Sequence, residues 1–425
     1  MVFSGHQLES ASEKSSPKKE EKNQPMRKLV ILATTLAFLG AAALLVAQAP
    51  YATPGHAHTN VIVQDAIHPA NPTGILPQEF REFYGFNRIT NQGQGMTIAL
   101  VDAYNDPNIV SDVAFYASYF HKTPCNFTVV NLATINGQGW DLEESLDVQQ
   151  ACALAPQANI ILVEAASNSY TDLLNAVAVA YTTYNASVVS MSWSGGDDLA
   201  GDSYFDNIVN GAGQPVTFIA ATGDDGHGTG WPSTSPYVIA AGGTTVFPLT
   251  AAPLSSPLSL DYGSEEGWRG SGGGVDTGGE PEPSWQVQAC APYSPNGYRC
   301  VPDIASDANP GTGVPVYDTY SYGGWVEVGG TSVATPDWGA FFTLVNSQRA
   351  INSNNPQNTL SQADPDLYNL YYNSSDYAND FHDITSGSNG SCGLDCNDQV
   401  GYDLVTGIGS YQAQNLWSAL VAATN

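Results

Sequence analysis

Thr97-Ile98-Ala99-Leu100-Val101-Asp102-Ala103 is an almost unbroken apolar run that ends beside an acid. Similar runs recur at 159–165 (NIILVEA), 187–193 (SVVSMSW), 216–223 (VTFIAATG) and 237–243 (YVIAAGG). Continuous apolar stretches of this length suit parallel strands covered on both faces, whereas a half-solvated strand would alternate. Helical spacing fills the gaps: Val113, Tyr116 and Phe120 follow a cap at Ser111, and Leu173, Leu174, Val177 and Val179 form a second stripe. Strands alternating with helices predict an α/β fold, a mostly parallel, doubly wound sheet with helices on both faces. Its active loops would lie at the carboxyl ends of the strands.

The surrounding chain sets the compartment. Of 425 residues, 42 are Gly and 26 Pro, which implies many turns, and no repeat period is evident. Formal net charge is −29; beyond residue 28 lie 37 of the 41 acids but only 6 of the 12 bases. Such a surface repels nucleic acid and anionic lipid, and with few ion pairs to lose it suits an acidic medium. Leu29 to Val46 is apolar, follows Arg27-Lys28 and precedes Ala47-Gln48-Ala49, a small-x-small cleavage signature. Residues 1–49 therefore read as an N-terminal extension plus signal peptide, with translation starting at Met26 as a hypothesis, and the protein is expected to be secreted. About 18 apolar residues would also just span a bilayer as an uncleaved anchor facing outside, the one case that would bring membrane contact. Residues 50–77, with five prolines and no periodicity, read as a linker, and 78–425 as one domain. Export permits disulfides: Cys290 with Cys300 and Cys392 with Cys396 are spaced as local staples, while Cys125 and Cys152 are either paired or free and buried.

Three stretches carry chemistry. In GGTSVATP (329–336), a short strand through Trp325 to Val328 meets a helix marked by Trp338, Phe342 and Val345. Ser332 thus sits at a helix N-terminus, where free N–H groups favour an oxyanion. A serine hydroxyl needs a base; without one, Ser332 only caps the helix. WDLEESLDVQQACALAP (140–156) offers that base: with Asp141 as N-cap and Glu144 completing a capping box, Glu143 and Asp147 share one helix face. Glu143 would be the base, oriented by Asp147; the bland alternative makes these first-turn and surface acids. AATGDDGHGTG (220–230) projects Asp224 from a strand end, where a protonated carboxyl could donate to an oxyanion, or where an ordinary turn Asp would stand.

Taken together, GGTSVATP, Glu143-x-x-x-Asp147 and AATGDDG, with SGGGVDTGGEPEPSWQ (271–286), RCVPDIASDANPGTG (299–313), FHDITSG and GYDLVTGIG, resemble the sedolisins, serine-carboxyl peptidases of subtilisin-like fold and in particular of kumamolisin type, over roughly residues 78–425. The resemblance implies Ser332 as nucleophile, Glu143 as general base, Asp147 as its partner and Asp224 as oxyanion acid, with Asp102 and Trp193 in a secondary proton network. It also implies one structural Ca2+ held by Asp383 and Asp403 and by the carbonyls of Ile384, Gln399 and Gly401, a hard-oxygen set, with Gln399 replacing the family's usual Gly. Protein or peptide substrates and a monomer are expected, with an acidic optimum, because glutamate stays ionised where imidazole would be protonated. The family's long prosegment has no counterpart in the roughly 30 residues after Ala49, which leaves open how activity is restrained. Endopeptidase and tripeptidyl peptidase activities both fit. Two rivals remain: a subtilisin-type protease using Asp102, His227 (from His227-Gly228-Thr229) and Ser332, and a non-catalytic, calcium-stabilised exported binding module.

Overall fold

The computed structural model describes residues 55–423 apart from 65–69, 121–123, 197–200, 202–203, 207, 209–214 and 251–259. The expected signal segment lies outside the described residues, and among them no helix is long and apolar enough to cross a membrane. Ten strands in chain order organise the site: β1 (His58–Thr59), β2 (Ile62–Val63), β3 (Thr97–Ala103), β4 (Asn126–Asn131), β5 (Asn159–Ala165), β6 (Val188–Met191), β7 (Trp193–Ser194), β8 (Thr217–Ala221), β9 (Ile239–Thr250) and β10 (Leu260–Gly267).

The apolar runs pair into one eight-stranded sheet ordered β10-β9-β8-β6-β3-β5-β4, with Ile304–Asp307 added alongside β9. Every pairing is parallel except β9 with β10. Because side chains alternate along a strand, each run divides its residues between two cores. Ile98, Leu100, Ile160, Leu162 and Val188 pack on one face with Leu146, Trp338 and Phe342. Ala99, Val101, Val163, Val189 and Phe218 pack on the other with Leu173, Leu174 and Val177. Each large apolar side chain fully buried this way contributes about 1.5–3 kcal/mol, so the doubly wound reading holds on both faces.

Two helices on the first face carry the chemistry. Asp141–Leu154 is buried at all fourteen positions, and Thr331–Ser353 is buried continuously from Thr331 to Ser347. The expected capping box is absent: Trp140 occupies the N-cap position, no side chain caps it, and Asp141 keeps both carboxylate oxygens unpartnered. All six cysteines pair, as Cys125–Cys152, Cys290–Cys300 and Cys392–Cys396. The first closes the open choice and ties the start of β4 to the carboxylate helix.

One departure concerns the segment read as a linker. β1 pairs antiparallel with β7, and β2 pairs antiparallel with Val328–Gly329 at the end of the strand leading to Ser332. Main-chain groups make these pairings, so they needed no side-chain periodicity to form. Pro77, expected to end the linker, instead opens the helix Pro77–Tyr84, a first-turn position that a proline tolerates.

Candidate active site

The strand Gly324–Gly329 is followed by Gly330, whose φ of 107° turns the chain into the helix at Thr331. A Cβ at Gly330 would run into the Asn60 carbonyl oxygen and Asp224 Oδ2, so the close approach that builds the site requires glycine here. Ser332 follows in the first helical turn, fully buried, and its backbone N–H donates to the Asn60 carbonyl at 3.2 Å. Its hydroxyl donates to the Ser192 carbonyl at 3.2 Å. Glu143 is the alternative acceptor, near enough that a Ser332 hydrogen bond opposes the upward pull on the Glu143 pKa.

Glu143 and Asp147 project from the buried carboxylate helix and are both 0% exposed, which excludes the solvated-acid reading. Glu143 Oε2 accepts from the Asn60 N–H at 3.2 Å, and Oε1 has no partner. Asp147 Oδ1 accepts from the Ser192 hydroxyl at 2.8 Å. Burial, then the charge of Asp102, pushes the pKa of each well above the ordinary carboxylate range. Asp102, one residue before the end of β3, stands in register with Glu164 of β5. Both its oxygens lack partners, and burial followed by the Glu164 charge pushes it up to about 8. The cluster therefore holds protons in acid and cannot ionise all at once, as like charges in a low-dielectric site cannot.

Asp224 leaves β8 through Gly223 and is fixed from one side. Its Oδ1 accepts from the Thr331 N–H at 2.7 Å and the Thr331 hydroxyl at 2.9 Å. The residue as a whole is half-buried, yet Oδ2 is shielded from solvent and unpartnered. Burial raises its pKa to about 7, against the two Thr331 bonds and with help from Asp225. A neutral Asp224 has one orphan oxygen to carry the proton, beside the same carbonyl that Ser332 N–H addresses. A second donor placed beside the Ser332 N–H can stabilise charge developing on an oxygen there.

Other expected residues fall differently. The Trp193 indole donates to the Val101 carbonyl at 2.9 Å rather than to a carboxylate, so it walls the site instead of extending a proton path. The Asp102, His227, Ser332 alternative fails. His227 is exposed, bonded through its N–H to the Asn389 carbonyl, and its loop runs beside Gly273 instead of opening a helix. Asp102 makes no hydrogen bond to it.

At the expected calcium loop, Asp383 Oδ1 accepts from Gly401 N–H and the Tyr377 hydroxyl, both at 2.9 Å. Among the described residues no donor reaches Asp383 Oδ2 or the carbonyls of Ile384, Gln399 and Gly401, so these oxygens fit a hard cation. Asp403 fits less directly, because Gln399, Val405 and Thr406 N–H groups already fill it and fold the loop. Residues the sequence did not single out are Asn60, Ser192 and Thr331. Only Thr331, adjacent to Ser332, lay within a chemical motif.

With this geometry in view, the chain can be set beside known proteins. The subtilase family model matches residues 134–382. The chain is 31% identical to kumamolisin of Bacillus sp. (strain MN-32) over 384 residues, covering 84% of this chain and 65% of that protein. To sedolisin of Pseudomonas sp. (strain 101) it is 30% identical over 303 residues, 66% of this chain and 49% of that one. The solved Pseudomonas sedolisin, a serine-carboxyl proteinase complexed with two molecules of pseudo-iodotyrostatin, shares the fold at a TM-score of 0.68 and 24% identity, covering 82% of this chain and 98% of that one. The chain therefore belongs to the subtilase family and, within it, to the sedolisins. It spans about two thirds of the length of kumamolisin and about half that of sedolisin.

Proposed function

We propose that this protein is a secreted, acid-active serine-carboxyl endopeptidase. The observation that carries the reading is that Ser332 N–H donates to a peptide carbonyl close to the orphan Asp224 Oδ2, while Glu143 accepts the N–H of the same residue.

In the reaction so envisaged, Glu143 takes the Ser332 proton as Oγ adds to the substrate carbonyl carbon. Ser332 N–H and protonated Asp224 hold the oxyanion. Glu143 then returns the proton to the leaving amine, and a second round with water releases the acyl group. Asp147, held by Ser192, and Asp102 keep protons close to Glu143 and limit the cluster's total charge. The active form is the one in which the coupled cluster has given up one proton, from Glu143, while Asp224 keeps its own; the raised Glu143 pKa places the acid limb above the ordinary carboxylate range and Asp224 sets the alkaline limb, so the bell lies on the acid side of pH 7. The strand edges at β7 and Val328–Gly329 accept extended chain on both sides of Ser332, which supports internal cleavage over removal of a terminal tripeptide. A calcium ion at Asp383 and the carbonyls of Ile384, Gln399 and Gly401 would brace the 398–407 loop.

Hydrolysis of casein or haemoglobin followed from pH 3 to 7 tests the reading. Wild type should cleave and Ser332→Ala should not; no hydrolysis by wild type would leave the non-catalytic binding module as the better account.

A further inference from the structure

We propose that Glu164 is a positioning residue for the reaction: it accepts a hydrogen bond from Asp102 and keeps that carboxyl protonated, so that Glu143 is the acid that gives up its proton. This rests on the peptidase reading above and adds to it a residue outside the three chemical motifs.

Strand alternation brings the two acids together. Ile98 and Leu100 of β3, with Ile160 and Leu162 of β5, face the core that packs against the helix Asp141–Leu154. Asp102 and Glu164, each two residues further on, therefore face the same way. Leu100 stands in register with Leu162, and Asp102 with Glu164, so an apolar row passes into an acid row on the side that carries Glu143 and Glu144. Asp102, Glu144 and Glu164 are all 0% exposed. Of their six carboxyl oxygens one has a donor: Glu164 Oε1 accepts the Asp106 N–H at 3.1 Å. The other five have no partner, and among the described residues no Lys, Arg or His pairs with these acids. On the far side of β5, Glu164 stands opposite Asn131 of β4, which is uncharged.

A buried oxygen without a donor is costly, and a buried charge without one more so. The hydrogens at hand in this row are the acids' own, and an Asp102 O–H donating to Glu164 Oε2 gives an oxygen on each residue its partner. The Asp106 N–H decides which of the two ionises first, because bonding to Glu164 Oε1 favours the charge there and leaves the proton on Asp102. Burial, then the Glu164 charge, pushes Asp102 up to about 8; burial, against the Asp106 N–H, brings Glu164 up to about 7. Asp102 thus stays neutral across the bell, whose alkaline limb Asp224 sets at about 7. Glu144 faces the pair from the helix, and burial with the Glu164 charge holds its pKa well above the usual range. The acids that face Glu143 are Asp102, Asp147 and Asp224, and among the charges opposing its ionisation that of Asp102 comes first. A protonated Asp102 removes that opposition.

The test is Glu164→Gln in the full chain, with kcat on a saturating fluorogenic peptide followed from pH 3 to 8. The Asp106 N–H requires an acceptor, so the amide oxygen takes the place of Oε1 and the amide nitrogen turns to Asp102. A donor there favours the Asp102 carboxylate. Asp102 then ionises before Glu143, and the acid limb should rise by about 0.5 pH unit or more, about a threefold loss at a fixed pH on that limb. In an Asp102→Asn background the same substitution should leave the limb in place. A merely structural role would lower Tm and kcat without moving the limb. Infrared difference spectra give a readout that needs no turnover: at about pH 6 wild type should show a protonated-carboxyl band that Asp102→Asn lacks and Glu164→Gln weakens. An acid limb that stays or falls in Glu164→Gln, a shift that persists in Asp102→Asn, or no such band in wild type would overturn the inference and spare the peptidase reading. Wild type that shows the band and its loss in both variants but hydrolyses no peptide would keep the shared proton and overturn its role in a reaction, together with the peptidase reading.

Discussion

Replacing Asp224 with asparagine separates two demands on that side chain, that it donate and that it be neutral. The carboxyl accepts both Thr331 bonds on Oδ1, so the amide oxygen of the Asp224→Asn variant can take them at the same 2.7 and 2.9 Å, leaving Nδ2 where the orphan Oδ2 stands. The variant would donate at every pH. The wild-type donor exists only while Asp224 is protonated: with a pKa near 7, it is almost fully present at pH 4. About one molecule in ten retains it at pH 8, falling tenfold per further unit. At pH 4, Asp224→Asn should therefore keep kcat within about tenfold of wild type, while Asp224→Ala should lose about 10²–10³-fold, the usual cost of one oxyanion donor. Above pH 7 the ratio of the Asn variant to wild type should rise about tenfold per unit. The assay is kcat on a saturating peptide from pH 3 to 9 at constant ionic strength; kcat reports the occupied site, where bound peptide stands in for the Asn60 strand. The other charges that face this group, Asp225 and Glu143, are retained in both variants. An alkaline limb left unmoved in Asp224→Asn would refute the assignment of that limb to Asp224.

Stability should fall as pH rises. Burial holds Asp102 at about 8, Asp106 at about 6, and Glu164 and Asp318 at about 7, above their ordinary range near 4. The folded state thus binds more protons than the unfolded one, so this contribution is complete below about pH 4 and is lost as pH climbs through 6 to 8. Calorimetry should show Tm decreasing from pH 4 to pH 8; a rising Tm would contradict it. Chelation with EGTA should lower Tm in wild type and have little further effect in Asp383→Ala, whereas equal shifts in both would remove the ion from that loop. Converting Cys125 and Cys152 to serine opens a link between positions 27 apart. The loop-closure relation gives about 3.5 kcal/mol lost in denaturant titration, and a change under about 0.5 kcal/mol would place the restraint elsewhere.

The sheet was legible because Thr97–Ala103 and its companions are apolar on both faces, and only a sheet covered on both sides buries such strands. Ser332, Glu143 and Asp224, whose places at helix starts and a strand end each allowed a bland reading, were singled out together only by motifs that resemble the sedolisins, and the fold brings all three around Asn60. Three features were hidden for physical reasons. The helix Asp141–Leu154 reads as half-solvated, with Asp141, Glu143, Glu144, Asp147, Gln149 and Gln150, yet every one of them is buried; buried polar side chains leave no apolar signature in the sequence. Residues 55–64 are held mainly through their main chain, which composition does not reveal. Trp193 stands where a proton network was expected, but its indole found a backbone carbonyl, a choice set by packing against Tyr170 and Trp231.

Glu143→Gln compared with wild type on one protein substrate, at the pH where wild type is most active, probes most directly whether a carboxylate activates the serine. Glutamine keeps the shape but cannot accept the Ser332 proton, so turnover should drop by about 10³-fold or more with Tm unchanged within a few degrees. Turnover within about tenfold of wild type would show that Ser332 is activated by some other group, and the carboxylate mechanism would fall.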